Sequence, residues 1–289
     1  MRLCFCPSER ENKPQLAYVS QVSESNGPYV RFMHMHPQTV ELILITEGDG
    51  EYFIGDRIYP VRKGDLVIYN SQVVHDEYLE SGRPIGTICC GINNISCPGL
   101  RENALIPDDI VPVIPLYHHY ATVEKLMSSV FTVINQHAVE GPAMAQLLTQ
   151  VVLKYIEGNV LLRTGNDAIQ RHENLLDSIK SYIDRNFYEP IRLDTLATKF
   201  NVSPYYVSHE FKRRYGYSPM DYLIKRRLGE AQSLLTTDKG GREKITSIAY
   251  RVGFSNLSHF QNYFKNKVGK TPGQYRKDYR KANYLLFEY

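Results

Sequence analysis

The chain reads as an α+β multidomain protein: a small β-barrel with two packed helices, followed by an all-α domain of two helix-turn-helix units. Three observations lead there. Between residues 28 and 95, short runs rich in Val, Ile, Tyr and Thr alternate with turn residues. From about residue 119 the apolar residues recur at helical spacing. Near the C-terminus FKRRYGYSPMDY, residues 211–222, returns as FKNKVGKTPGQY, residues 264–275.

The strands come first. YVRFMHMH (29–36), VELILIT (40–46), GEYFIG (50–55), RIYPV (57–61), GDLVIYN (64–70) and PIGTICCGI (84–92) are the candidate runs. Many short strands with close turns suggest a small barrel or sandwich. Alternation along 29–36 puts His34 and His36 on one face with Val30 and Phe32, taken as inward. HYATVEKLMSSVFTVINQH then sets Val123, Leu126, Met127, Val130 and Ile134 on one helical face. GPAMAQLLTQVVLKYIEGNVLL follows, with Pro142 suited to a first helical turn. TGNDAIQRHE is polar and aperiodic and reads as a linker. The expected division is 1–163, linker 164–173, and 174–289.

Beyond the linker every apolar pattern is helical. NLLDSIKSYIDRNF stops before Pro190. In the first unit, about 193–215, Leu193, Leu196, Ala197 and Phe200 share a face and Asn201 falls at the turn. Ser203 is an N-cap with Pro204 at the first helical position. Val207, Phe211 and Tyr215 point inward. In the second unit, about 245–268, Ile245, Ile248, Ala249 and Val252 are inside, and Gly253 stands where Asn201 stood. Gly and Asn best tolerate a left-handed turn. Ser255 precedes a helix that buries Phe260, Phe264 and Val268. The copies are offset by 52 residues before the caps and by 53 after them, which predicts one extra residue at the start of the second unit's second helix. Gly216 and Gly269 end these helices, and Ser218-Pro219 and Thr271-Pro272 start the next. Residues 219–235 form one connecting helix, about 25 Å long at ~1.5 Å per residue.

Charge divides the chain the same way. Residues 1–171 carry 13 Lys and Arg against 19 Asp and Glu, net −6; residues 172–289 carry 21 against 12, net +9. A basic helical half suits a polyanion. The connecting helix would set two reading helices roughly one duplex turn apart, ~34 Å, so tandem units double the footprint of one chain. No apolar run approaches the ~20 residues of a membrane span. MRLCFCPSERENK turns polar too soon for a signal peptide, so a cytoplasmic location is expected. The five cysteines lack metal-site spacing and read as reduced thiols.

The repeated Gly-x-[Ser/Thr]-Pro-x-x-Tyr, the Arg227-x-x-x-Ala231-x-x-Leu234-Leu235 helix and IAYRVGFSNLSHFQNYFK resemble the AraC/XylS family of bacterial transcription regulators over roughly 173–281. The resemblance implies a non-enzymatic, effector-controlled DNA-binding regulator. It implies base reading through Tyr205, Ser208, His209 and Lys212 in the first unit, and Leu257, Ser258, Gln261 and Asn262 in the second. The chemistry agrees: Gln and Asn bond adenine edges, Lys a guanine, and Tyr or Leu meets a thymine methyl. Arg213, Arg214, Arg226, Lys265 and Lys267 suit phosphate. The plain alternative for each is a solvated helix face. Double-stranded DNA, a small-molecule effector, a second copy of the chain and RNA polymerase are the expected partners, and no membrane.

The N-terminal half resembles a cupin. His34-x-His36, Glu41 and Gly48 match its first motif; Gly64 and His75 match the ends of its second. The family's Pro, second Gly and terminal Asn are Asn70, Gln72 and Leu79 here. His34, His36, Glu41 and His75 survive as a potential ligand set for Zn, Ni, Mn or Fe. The same side chains would equally contact an organic effector such as a sugar, or bond one another. Arg31, Tyr52, Tyr69 and Tyr78 are further pocket candidates. A cupin metalloenzyme fused to a DNA-binding domain is the alternative function.

Overall fold

The turn signals fall where the chain reverses. The structure, a computed structural model, describes residues 13–23, 32–77, 85–136, 139–161, 175–237, 243–281 and 285–286. Its strands are β1 (Gln15–Val22), β2 (Val40–Glu47), β3 (Asp49–Ile54), β4 (Arg57–Arg62), β5 (Asp65–Tyr69), β6 (His75–Asp76), β7 (Gly86–Asn93), β8 (Val113–Pro115) and β9 (Leu285–Leu286). One sheet has the order β8-β5-β2-β7-β1-β9 and the other β4-β3-β6; neighbours are antiparallel.

Period-2 alternation gives the larger sheet two buried faces. Leu42, Leu44, Leu66, Ile68, Ile88 and Cys90 pack against α1 (Tyr120–Gln136) and α2 (Gly141–Tyr155). Their neighbours Ile43, Ile45, Val67, Tyr69 and Cys89 pack with Tyr52, Ile54 and Val61 of the smaller sheet. The result is three layers: helices, large sheet, small sheet. Glu41, Tyr69 and Cys89 therefore share the face between the sheets. Cys89, Cys90 and Cys97 are buried and form no disulfide among the described residues. β1, β8 and β9 lie outside the stretch 28–95 that the strand pattern singled out; β1 pairs with β7, about seventy residues away, so no local hairpin signal joins them.

Residues 32–36, the described part of the run 29–36, are not the regular strand the pattern predicts. Within the described part, 32–36, one antiparallel bridge joins His34 to His75, with both backbone bonds at 2.9 Å. Alternation fails with it. His34 turns into the first half of the chain, while Phe32 enters a core of the second. Val30, and the linker 164–173, lie outside the described residues.

The helical half is α3 (Leu175–Asn186), α4 (Leu193–Lys199), α5 (Pro204–Tyr215), α6 (Pro219–Thr237), α7 (Ile245–Arg251), α8 (Leu257–Val268) and α9 (Pro272–Lys281). Ser203 caps α5, accepting from the Tyr206 amide, and Asn256 caps α8, accepting from the Ser258 and His259 amides. Asn201 (φ 54°) and Gly253 (φ 92°) occupy the same left-handed turn position. α5 and α8 are equally long, so the extra residue lies in the second turn, before the cap, and not at the helix start as the offset suggested.

Each helix-turn-helix core borrows side chains from the first half. Met33, Phe53 and Val74 join Leu196, Val207, Phe211 and Tyr222. Phe32 joins Leu228, Ile248, Phe260 and Phe264. Burying one such side chain contributes about 1.5–3 kcal/mol.

Candidate functional site

α5 and α8 turn one apolar stripe inward and present the rest. Val207, Phe211 and Tyr215 are buried on α5, and Phe260, Phe264 and Val268 on α8. Tyr205, His209 and Lys212 are exposed and Ser208 is half-buried. Tyr205 lies against His209, ring centroids 4.0 Å apart. Arg213 is exposed and pairs with Glu210. On α8, Ser258, Gln261, Asn262 and Lys265 are exposed on one continuous face. Leu257 stands at the first position of α8, half-buried against the second core.

Two of the basic side chains read as phosphate ligands are engaged elsewhere. Arg226 is fully buried. It pairs with Asp184 at 3.2 Å, donates to the Met33 carbonyl at 3.1 Å and lies 4.9 Å from the Phe187 ring centroid. Arg214 holds Asp177 at 2.7 Å and reaches Asp56 of the first half at 3.6 Å. By sequence alone Arg226 suits phosphate, because sequence carries no trace of what covers α6.

The histidines and the glutamate do converge. One ligand atom from each of His34, His36, Glu41 and His75 lies within 4.8 Å of the others. His75 Nε2 is 3.0 Å from His34 Nε2 and 3.0 Å from Glu41 Oε2; His36 Nε2 is 3.4 Å from Glu41 Oε2. His34 Nδ1 sits 2.8 Å from the Phe32 carbonyl and His75 Nδ1 2.9 Å from the Val73 carbonyl. A carbonyl only accepts, so each Nδ1 carries a hydrogen, which leaves the two Nε2 atoms facing one another. Two lone pairs and a carboxylate oxygen at these distances repel unless a cation or a shared proton sits among them. The backbone bonds on Nδ1 are the outer support that metal-binding imidazoles use. Tetrahedral zinc at ~2.05 Å holds its ligand atoms ~3.3 Å apart, close to the spacings here.

The surroundings fix Glu41. Burial would push its carboxyl up, but the charges and hydrogen bonds of His36 and His75 outweigh that and hold it well below the usual range. Tyr18 donates to Glu41 Oε1. Tyr69 stacks on His75 with ring centroids 3.9 Å apart, and its buried hydroxyl has no hydrogen-bond partner among the described residues. Tyr52 lies nearby in the inter-sheet core. Burial, and then the Glu77 charge, push both phenols well up. Arg31 and Tyr78 lie outside the described residues. The departures from the cupin motif are accommodated. Gln72 keeps a left-handed backbone (φ 63°) and donates to the His36 carbonyl at 2.7 Å. Asn70 ties the loop at 105–108 with four hydrogen bonds.

A set of α6 residues went unread in the sequence. Lys225 pairs with buried Asp76 at 3.2 Å, and Gln232 accepts from the Phe32 amide at 2.8 Å. Gly229 meets the Met33 carbonyl so closely that a β-carbon there would lie 2.1 Å from it. A glycine inside a helical pattern was the available signal, since it costs ~1 kcal/mol unless a close approach requires it. A cleft of about 880 Å³ also separates the halves, lined by Asp56, Arg57, Arg101, Asp108, Lys180 and Asp184 among others.

Comparison with known proteins matches two separate stretches of the chain to families. Residues 21–151 match the AraC-like ligand binding domain family, and residues 196–278 match a helix-turn-helix domain family. The chain is 27% identical over 250 residues to the uncharacterized HTH-type transcriptional regulator YdiP of Escherichia coli (strain K12), covering 86% of this chain and 81% of that one. It is 22% identical over 262 residues to the HTH-type transcriptional activator RhaS of Enterobacter sp. (strain 638), covering 88% and 90%. Among solved structures, the C-terminal domain of the two-component response regulator yesN from Fusobacterium nucleatum is similar, with 32% identity, 36% of this chain and 99% of that chain covered, and a TM-score of 0.34. With a ligand-binding domain over its sheets and a helix-turn-helix domain over its repeated helices, the chain belongs to the AraC family of effector-controlled, DNA-binding transcription regulators.

Proposed function

We propose that the chain reads duplex DNA through the outer faces of α5 and α8, and that its N-terminal domain takes a divalent transition-metal cation at His34, His36, Glu41 and His75. The observation that carries the first part is the pair of open faces: Tyr205, Ser208, His209 and Lys212 on one helix, Ser258, Gln261, Asn262 and Lys265 on the other. Arg213 and Lys265 serve phosphate, which orients without specifying. Leu257, half-buried, contributes packing more than readout. α6 spans ~28 Å at ~1.5 Å per residue, which suits neighbouring major-groove segments on one side of a duplex. Selection from a random duplex library followed by footprinting tests this. Enrichment of a site with two protected segments one turn apart is expected; no enrichment refutes it.

The convergence of three imidazoles and a carboxylate supports a cation, and the spacing of 3.0–3.4 Å leaves no room for a sugar between those atoms. Four protein ligands would complete a tetrahedral zinc shell, which favours sensing over turnover. The division is proposed to be 1–163, linker 164–173 and 174–289. The chain works in the cytoplasm, not as an enzyme, and delivers its signal to RNA polymerase. It acts as a homodimer. Met144, Leu147 and Val151, on one face of α2, are 39%, 64% and 49% exposed, an apolar stripe that a second copy would cover. Sedimentation of the purified chain checks the dimer: Leu147→Asp should yield monomer, and a wild-type chain monomeric at high concentration removes the proposal. Among the described residues no helix is long and apolar enough to cross a membrane.

A further inference from the structure

We infer that residues 32–36 form a strap that makes occupancy of the histidine–glutamate site and docking of α6 one equilibrium. This rests on the metal reading above. One end of the strap supplies His34 and His36. The other end is built into the DNA-binding half: Phe32 fills the second helix-turn-helix core and Met33 the first. α6 holds the strap's backbone at three places. Gln232 accepts the Phe32 amide hydrogen, Arg226 donates to the Met33 carbonyl, and Gly229 lets the helix backbone close on that carbonyl.

The return strand is held too. His75 shares a two-bond bridge with His34, and the next residue, Asp76, pairs with Lys225 of α6. Both ligand-bearing segments are thus surfaces on which α6 rests. The Phe32 carbonyl that orients the His34 ring belongs to the same residue whose amide α6 binds. A shift of α6 off this surface releases Phe32, turns the His34 ring and breaks the ligand set. The ligand atoms already converge with α6 docked, so a cation binds the docked state more tightly and stabilises it. Linkage then runs both ways: the cation strengthens docking by the same factor by which docking strengthens cation binding, so changes on α6 that undock it weaken cation binding.

Gly229→Ala separates this coupling from a direct role. Alanine favours the helix by ~1 kcal/mol over glycine, yet its methyl cannot share space with the Met33 carbonyl. Zn²⁺ affinity of the purified full chain is measured by competition with a fluorescent chelator, and backbone exchange over 219–237 by mass spectrometry. Wild type is expected to bind one Zn²⁺ per chain and to slow exchange in α6 on loading. His34→Ala and His75→Ala abolish binding. Gly229→Ala keeps the stoichiometry but weakens affinity at least 10-fold, and Gln232→Leu does the same if Gly229→Ala fails to fold. Gly158→Ala, with open space at its β-carbon, changes nothing. Wild-type affinity in both α6 variants, with binding lost in the histidine variants, overturns the strap and leaves the metal site standing. A wild-type chain that binds no Zn²⁺, Ni²⁺ or Mn²⁺ overturns the metal reading, and the strap's link to it falls as well.

Discussion

Phe32→Ala should loosen the second helix-turn-helix unit although residue 32 lies more than two hundred positions from α7 and α8. The Phe32 side chain is 1% exposed and packs with Leu228, Ala231, Ile248 and Phe260. Truncating a fully buried Phe costs about 3–5 kcal/mol, the transfer loss plus the cavity left behind. At the lower figure, the local opening equilibrium of that unit rises roughly 100-fold. Hydrogen exchange measures it directly: peptides from 245–268 should exchange roughly 100-fold faster, while peptides from 193–215 change little. Met33→Ala should give the opposite pattern, because Met33 packs in the first core. Equal acceleration of both units by each variant, or protection of 245–268 unchanged in Phe32→Ala, would refute the division of the strap between the two cores.

The two turn positions, alike in backbone, should respond differently to substitution. Gly253→Ala should destabilise the chain by about 2 kcal/mol or more, read from urea unfolding, because a β-carbon there would lie 2.8 Å from the Phe187 and Tyr188 carbonyls. Asn201→Gly should shift stability by no more than ~1 kcal/mol, since Gly also adopts φ 54°. Gln261→Ala and His209→Ala should each lose on the order of 1–3 kcal/mol on the selected site but little on random duplex, by fluorescence anisotropy. Lys265→Ala should weaken both duplexes alike and lower the slope of log affinity against log salt by about 1. Equal losses on both duplexes for Gln261→Ala, or an unchanged slope for Lys265→Ala, would reverse those roles.

Much of the fold was legible because it is local. Caps, turns and helix lengths depend on a few adjacent residues, so Ser203-Pro204 and Asn201 announced the first turn geometry, and Gly253 and the repeat announced the second. The one-residue offset was real, but its place was not readable. Only the cap choice, Asn256 over Ser255, fixes where α8 begins. The ligand set was legible as four residues of the right chemistry at motif spacing. Their convergence was not, because β2, β6 and the strap meet only through the sheets.

By itself the sequence determined that one acidic, strand-rich half precedes a basic half with two helix-turn-helix units, since hydrophobic period and charge are written residue by residue. What only the tertiary structure decided is how the halves share surfaces. Alternation sent Phe32 inward with the histidines, but 32–36 is held by one bridge rather than a ladder. Nothing then forces its side chains to alternate, and Phe32 packs into the apolar core of the other half. Arg226 looked like a phosphate ligand. It is buried because α6 lies between α3 and the strap, where its guanidinium pairs with Asp184 and donates to the Met33 carbonyl. Such contacts join residues about 150 to 200 positions apart, and no local pattern encodes which distant surface will cover a helix face.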